Sequence, residues 1–196
     1  WADVPTRLRS RAPWTAYLKV SEGCDHQCTF CTIPSFRGRH VSKPLERVLE
    51  EARWLAHNGA KELNLIAQDT TQYGYDRYKQ FMLPTLLREL SAVEGIEWIR
   101  IHYAYPSRIT DALIETMASL PKVAHYLDVP LQHADRAVLQ AMRRPGDGSR
   151  YLQMVRRLRE AMPDIAIRTT FIVGFPGEDE AAFQRLLEFL QEAQLD

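Results

Sequence analysis

No stretch of this chain approaches ~20 consecutive apolar residues, so no helix in it is expected to span a bilayer. The opening residues, Trp1-Ala2-Asp3-Val4-Pro5-Thr6, lack the charged-then-apolar layout of a secretory signal, and the expected compartment is the cytoplasm. Net charge is missing as well. The 25 Lys and Arg cancel the 25 Asp and Glu, which argues against a chain-wide electrostatic grip on nucleic acid and leaves only local basic clusters. Low-complexity segments and sequence repeats are absent. Cysteine is scarce: three residues, an odd count that argues against a closed disulfide framework. What remains is an ordinary globular composition, 45% hydrophobic and 26% charged over 196 residues, enough for one large domain or two small ones and incompatible with global disorder.

Residues 1 to 14 carry Arg7, Arg9 and Arg11 between Pro5 and Pro13 without apolar periodicity, and read as an arm or linker entering a domain that begins at Thr15. From there strand-like runs alternate with amphipathic helices. Strands are expected at 16–20, 62–67, 96–103, 126–131 and 165–173. Between them, helices are expected after Pro44 to Gly59, from Pro84 to Gly95, from a Thr110 cap to Leu120, near 135–142, from a Ser149 cap to Met162, and at 178–190. Such alternation implies parallel strands with helical crossovers, hence an α/β barrel, open or closed, or a doubly wound sheet. In either architecture functional residues gather at the carboxyl ends of strands. The segments to watch are therefore 21–38, 68–75, 102–107, 132–133 and 174–178.

The three cysteines all fall in the first of these, Cys24-Asp25-His26-Gln27-Cys28-Thr29-Phe30-Cys31. A short loop with thiolates at spacings of four and three can bring them to one centre. Soft thiolates select zinc, copper or iron–sulfur clusters, and three protein ligands leave one metal position open for chemistry. The alternative is a closed zinc knot with His26 or His40 as fourth ligand, but structural zinc motifs usually bring their ligands in two separated pairs, and no second pair exists here. Three unligated buried thiols are the plainest alternative. The spacing favours an iron–sulfur cluster with one unique iron.

The run resembles the Cys-x3-Cys-x-aromatic-Cys signature of radical S-adenosylmethionine enzymes, with Phe30 in the aromatic slot. Longer stretches carry the resemblance to one family: Ser21 to His26, Ile33 to Gly38, Ala67-Gln68-Asp69-Thr70-Thr71, Tyr126 to His133 and Thr169 to Glu178 are similar to the methylthiotransferases of the RimO type. The resemblance implies a partial (βα)6-type, TIM-like α/β barrel with about five βα units present. It implies a 4Fe-4S cluster on Cys24, Cys28 and Cys31 whose open iron site is chelated by S-adenosylmethionine, with Phe30 against the adenine. It implies formation of a 5′-deoxyadenosyl radical and methylthiolation of the β-carbon of an aspartate in a small-subunit ribosomal protein. The implied partners are that protein, free or on the ribosome, and an electron donor such as a flavodoxin-like protein, with no membrane. The sister family acts on a tRNA adenosine, but its members typically read Gly-Gln-Asn after the second strand and Pro-Val-Gln-Ser at the end of the fourth. This chain has Ala67-Gln68-Asp69 and Pro130-Leu131-Gln132-His133. Tenable but weaker readings are thus tRNA methylthiolation and a non-enzymatic zinc module.

The resemblance also proposes S-adenosylmethionine contacts at Gln68, Gln132, Arg168, Gly174, Pro176 and Glu178. By residue chemistry alone, 174–178 reads as a tight strand-to-helix turn, and Arg168 serves equally as a carboxylate fork or a barrel-end structural arginine. His133 reads as a hydrogen-bonded structural histidine. The series Arg143, Arg144, Arg150, Arg156, Arg157 and Arg159 reads mostly as a solvated helix face. Members of the family hold a second 4Fe-4S cluster in an N-terminal domain and carry a C-terminal β-domain. All three cysteines here are committed to one cluster, so the chain is expected to be a core of residues 15–196, C-terminally incomplete, lacking both domains and unable by itself to insert sulfur.

Overall fold

The computed structural model describes residues 12–196; the part of the expected arm at residues 1–11 lies outside them. The chain runs β1 (Thr15–Lys19), β2 (Ser21–Glu22), α1 (Ile33–Arg37), β3 (Val41–Ser42), α2 (Leu45–His57), β4 (Glu62–Ile66), α3 (Tyr75–Tyr78), α4 (Leu83–Ser91) and β5 (Trp98–Ile101). It continues through α5 (Asp111–Ser119), β6 (Val123–Asp128), α6 (Arg136–Ala141), α7 (Gly148–Ala161), β7 (Ala166–Arg168) and α8 (Glu180–Ala193). Five strands form one sheet in the order β1-β4-β5-β6-β7, and every neighbouring pair is parallel. Each strand therefore joins the same growing edge as its predecessor. A doubly wound sheet reverses direction at a switch point; this one does not, so it has the single winding of an α/β barrel.

The helices α2, α4, α5, α7 and α8 touch in series and form one layer. Between layer and sheet, Leu18, Val48, Leu55, Leu63, Leu65, Leu87, Ile99 and Ile101 are fully buried. Helix starts are fixed by side-chain caps. Thr110 accepts from Leu113 N at 3.3 Å, Asp135 from Val138 N at 3.0 Å, Asp147 from Arg150 N at 3.0 Å and Asp179 from Ala182 N at 2.7 Å, satisfying donors the helix leaves unpaired.

Four expectations are corrected. Asp147, not Ser149, caps α7, because Asp147 is extended and Ser149 already lies in the first turn. The fourth strand is 123–128 rather than 126–131: Pro130 has no N–H for the ladder, and Gln132 turns into the left-handed region (φ 75°). The fifth strand stops at Arg168, because the Thr169 hydroxyl replaces its next rungs, donating to Val129 O at 2.9 Å and accepting from Leu131 N at 3.1 Å. Pairing then resumes only as a bridge between Gln132 and Phe171. The last helix opens at Glu180, since Glu178 turns its carboxylate back onto Phe175 N (3.0 Å). The antiparallel ribbon of β2 and β3, and the short α1 and α3, are too brief to show periodicity and were not expected.

Candidate active site

The cysteine loop leaves β1 and is shut at its base by the β2–β3 ribbon, pairing Ser21 with Ser42 and Glu22 with Val41. Cys24 N donates to Gly38 O (3.1 Å) and His40 N to the Asp25 carboxylate (3.1 Å), so both arms of the loop are tied together. Gly23 makes the closure possible. At φ 77°, a Cβ there would stand 2.1 Å from Arg39 O. The middle of the loop is anchored elsewhere: Thr29 donates its N–H to Met142 O (3.2 Å) and its hydroxyl to Ala141 O (3.0 Å), using the free carbonyls at the end of α6.

All three thiols are free and line one cavity of about 200 Å³ at the carboxyl ends of the strands. The cavity brings together Cys24, Cys28, Cys31, Phe30, Gln68 and Gln132 from three separate segments of the sequence. It also takes in His26, which the sequence offered only as a zinc ligand, Tyr103 and Tyr105 from the segment 102–107, and Arg144, which had read as part of a solvated helix face. A signal for Tyr103 and Tyr105 existed in their place just after a strand; none existed for Arg144. Tyr103 (φ 59°) and Gln132 hold left-handed backbone conformations, uncommon for residues with side chains and concentrated at functional sites.

The residues present fit an iron–sulfur cluster with a bound organic cofactor. Three soft sulfurs surround one space, and the buried Gln68 Oε1 that helps line it has no hydrogen-bond partner. Among the described residues no three His, Cys, Asp or Glu side chains converge as on a single ion. Both candidate fourth zinc ligands are engaged otherwise. His26 pairs through Nε2 with Asp69 (2.8 Å) and stacks on Tyr105 at 3.7 Å between ring centroids, while His40 is buried with Nε2 against the Ser42 hydroxyl (3.2 Å). Burial pushes the Cys24 thiol up, so taking a metal requires release of its proton.

Asp69 lies beneath the loop, 1% exposed, and collects its supports. It accepts from His26, from Arg108 Nη1 (2.9 Å), from the Thr71 hydroxyl (2.5 Å) and from Gln72 N (3.2 Å). Burial alone would raise its carboxyl. The hydrogen bonds from His26 and Thr71 and the charges of His26 and Arg108 outweigh that and hold it below the usual carboxylate range. Gln72 extends the network to Asp25 (2.6 Å). Asp69 and Thr70, in the segment 68–75 that follows the second strand, form the floor that fixes His26 and joins the ends of β4 and β5, Thr70 N donating to Tyr103 O (3.1 Å).

Arg168, Gly174, Pro176 and Glu178 do not line the cysteine cavity. Arg168 pairs with Asp128 (2.8 Å) on the sheet face opposite the helices. That face carries a polar row: Asn64 Nδ2 to Thr15 (3.0 Å), Arg100 to Glu62 (2.8 Å) and His102 Nε2 to Asn64 (2.9 Å). Gly174 (φ 73°) and Gly177 (φ 92°) shape an exposed turn with Pro176. Glu178 is drawn inward onto His133, whose Nδ1 accepts from Asp135 N (2.9 Å), so the proton on Nε2 faces the carboxylate (3.2 Å). His133 is thus the structural histidine its setting suggested. Arg144 departs from the arginine series: it is 8% exposed and lies in the cavity wall.

A single-wound parallel sheet carrying three thiols around one cavity at its carboxyl edge defines a class, and the chain belongs to the radical SAM superfamily, whose family model matches residues 18–190. It is 56% identical over 194 residues to the ribosomal protein uS12 methylthiotransferase RimO of Moorella thermoacetica, covering 99% of this chain and 45% of that protein. Against the proteins of the same name from Symbiobacterium thermophilum and Geobacter sulfurreducens it is 54% and 53% identical, each match covering 97% of this chain and 39% and 43% of the relative. The chain therefore spans less than half the length of these relatives. Among solved structures it resembles the radical S-adenosylmethionine methyltransferase TsrM of Kitasatospora setae, determined with cobalamin and a 4Fe-4S cluster. That likeness has TM-score 0.75 and 16% identity over 92% of this chain and 35% of that one. It also resembles coproporphyrinogen III oxidase HemN of Escherichia coli, with TM-score 0.65 and 17% identity over 95% and 44%. Both likenesses bear on the fold alone. No helix among the described residues is long and apolar enough to cross a membrane.

Proposed function

We propose that this chain is the radical-generating core of a ribosomal-protein methylthiotransferase, acting on the β-carbon of an aspartate in the uS12 protein. The observation that carries the reading is the cavity itself, where Cys24, Cys28 and Cys31 meet Phe30, Gln68 and Gln132, together with 53–56% identity to proteins bearing that name. When bound, the cluster and S-adenosylmethionine supply an electron and a carbon-centred radical that takes hydrogen from the substrate. The residues of this chain bind, orient and shield. The three thiolates hold the cluster. Phe30 packs against the cofactor's adenine, and Gln68 offers its unpartnered carbonyl oxygen to a cofactor donor. Gln132 and the turn at Gly174, Pro176 and Glu178 border the cofactor from the ends of β6 and β7. Arg168 would serve its carboxylate, and the rings of Phe30, Tyr103 and Tyr105 would keep water from the reacting carbon. A second cluster in a separate N-terminal domain supplies the sulfur chemistry, and a flavodoxin-like protein supplies the electron.

The test is mass spectrometry of two offered substrates, small ribosomal subunits and tRNA, after anaerobic reaction with the complete protein and a reductant. A methylthio increment on an aspartate of uS12 is expected. An increment on tRNA adenosine, or on neither, would overturn the assignment.

A further inference from the structure

Arg144 is a buried cation without a carboxylate. Its residue is 8% exposed, and its Nε is fully enclosed with no partner. The guanidinium donates through Nη2 to Pro130 O (2.5 Å), lies 4.5 Å above the Tyr105 ring and places Nη1 4.0 Å from Cys28 Sγ. None of these partners carries the negative charge that a desolvated guanidinium normally requires.

The position is built rather than incidental. Helix α6 ends with Arg143 in the left-handed region (φ 55°), Arg143 N on Gln140 O (2.9 Å) and Arg144 N on Leu139 O (2.8 Å), a doubled turn that throws the next side chain back across the helix end. The same helix end holds the cysteine loop through Thr29. One short element thus fixes both the cation and the sulfur beside it.

We propose that Arg144 is the counter-charge of the iron–sulfur cluster on its Cys28 side, a positioning residue that eases reduction of the cluster. The inference rests on the reading that Cys24, Cys28 and Cys31 hold a cluster. Thiolate ligation makes that centre negative and an added electron makes it more so. A fixed cation in a water-poor wall therefore favours the reduced form, and more strongly than it would in water.

The test uses the complete protein, loaded anaerobically, as wild type, Arg144→Met and Arg144→Lys. Redox titration without S-adenosylmethionine follows the cluster signal that S-adenosylmethionine is known, from a parallel sample, to perturb. In Arg144→Met the ratio of reduced to oxidised cluster at a fixed potential should fall about tenfold or more, ~59 mV for a one-electron couple. Arg144→Lys, with the charge but not the fork, should recover part of the shift. The cluster-free Arg144→Met protein should melt no lower than cluster-free wild type, because the substitution removes an unpaired buried charge. An Arg144→Met protein that fails to keep its cluster while melting normally, with Arg144→Lys keeping it, carries the same conclusion. An unmoved potential with the cluster intact would overturn the proposal, as would an unmoved potential with S-adenosylmethionine affinity lost, which would assign the charge to the cofactor. A lowered melting point of the cluster-free variant would make Arg144 a structural support. Wild type that takes up no iron would refute the underlying reading instead.

Discussion

Replacing Asp69 by Asn removes one negative charge from under the cysteine loop at almost unchanged volume. The amide keeps one acceptor for Thr71 and Gln72 but turns a donor toward Arg108, which can only donate, and gives up the charge that His26 and Arg108 share. Breaking a fully buried ion pair costs about 3–5 kcal/mol. Arg108 is 25% and His26 17% exposed, and both can regain water, so about 2–3 kcal/mol is the expected loss. In a chain of this size that corresponds to a fall of about 4–12 °C in melting temperature. The assay is thermal unfolding of the metal-free protein near neutral pH, with Arg108→Met and the double variant alongside. Because Asp69 and Arg108 share a bond, the double variant should lose clearly less than the sum of the singles. With His26 released from below, residues 21–38 should also be cut faster by protease than in wild type. A fall below about 1 kcal/mol, strict additivity with Arg108→Met, or unchanged cleavage of the loop would refute the role given to Asp69.

Three further expectations follow from the same geometry. Cys24→Ala, Cys28→Ala or Cys31→Ala should each abolish the intact four-iron cluster, since no spare thiol exists; iron and sulfide analysis reads the loss, and full iron in any variant contradicts it. Gly23→Ala should be far more disruptive than Gly177→Ala. The first drives a Cβ into Arg39 O, whereas the second meets nothing within 4 Å and bears only the left-handed penalty of about 1–2 kcal/mol; equal denaturant midpoints would refute the comparison. Stability should fall in two stages on acidification. Burial lowers His40 despite the nearby Asp76 charge, so the unfolded chain takes up that proton first and stability declines as pH drops below about 6.5. Asp69, also lowered, contributes stability above about pH 3.9 that is lost as pH falls through its lower folded value. Denaturant titrations of His40→Gln should lose the first stage and keep the second.

Much of this molecule was legible in the residues. Apolar spacing, the Thr110 cap and the prolines at 44 and 84 located the large helices, and the thiol spacing located the centre of the site. The departures have local physical causes. Val129-Pro130-Leu131 is apolar like a strand, yet proline lacks the donor a ladder needs, and the Thr169 hydroxyl stands in for backbone rungs that pattern reading assumes. Arg144 sits among arginines that do face solvent, and only the left-handed turn at Arg143 separates it from them. The polar row across the sheet, from Thr15 and Asn64 to His102, arises from register between strands far apart in sequence, which no single strand's pattern discloses.

The central claim, that Cys24, Cys28 and Cys31 build one redox-active centre that takes S-adenosylmethionine, is tested most directly by anaerobic reconstitution of this chain with iron and sulfide. Metal analysis and an electron-spin spectrum of the reduced protein, with and without S-adenosylmethionine, give the readout. About four iron and four sulfide per chain are predicted, with a spectrum that changes when the cofactor is added. Zinc in place of iron, no metal at all, or a spectrum indifferent to the cofactor would contradict it.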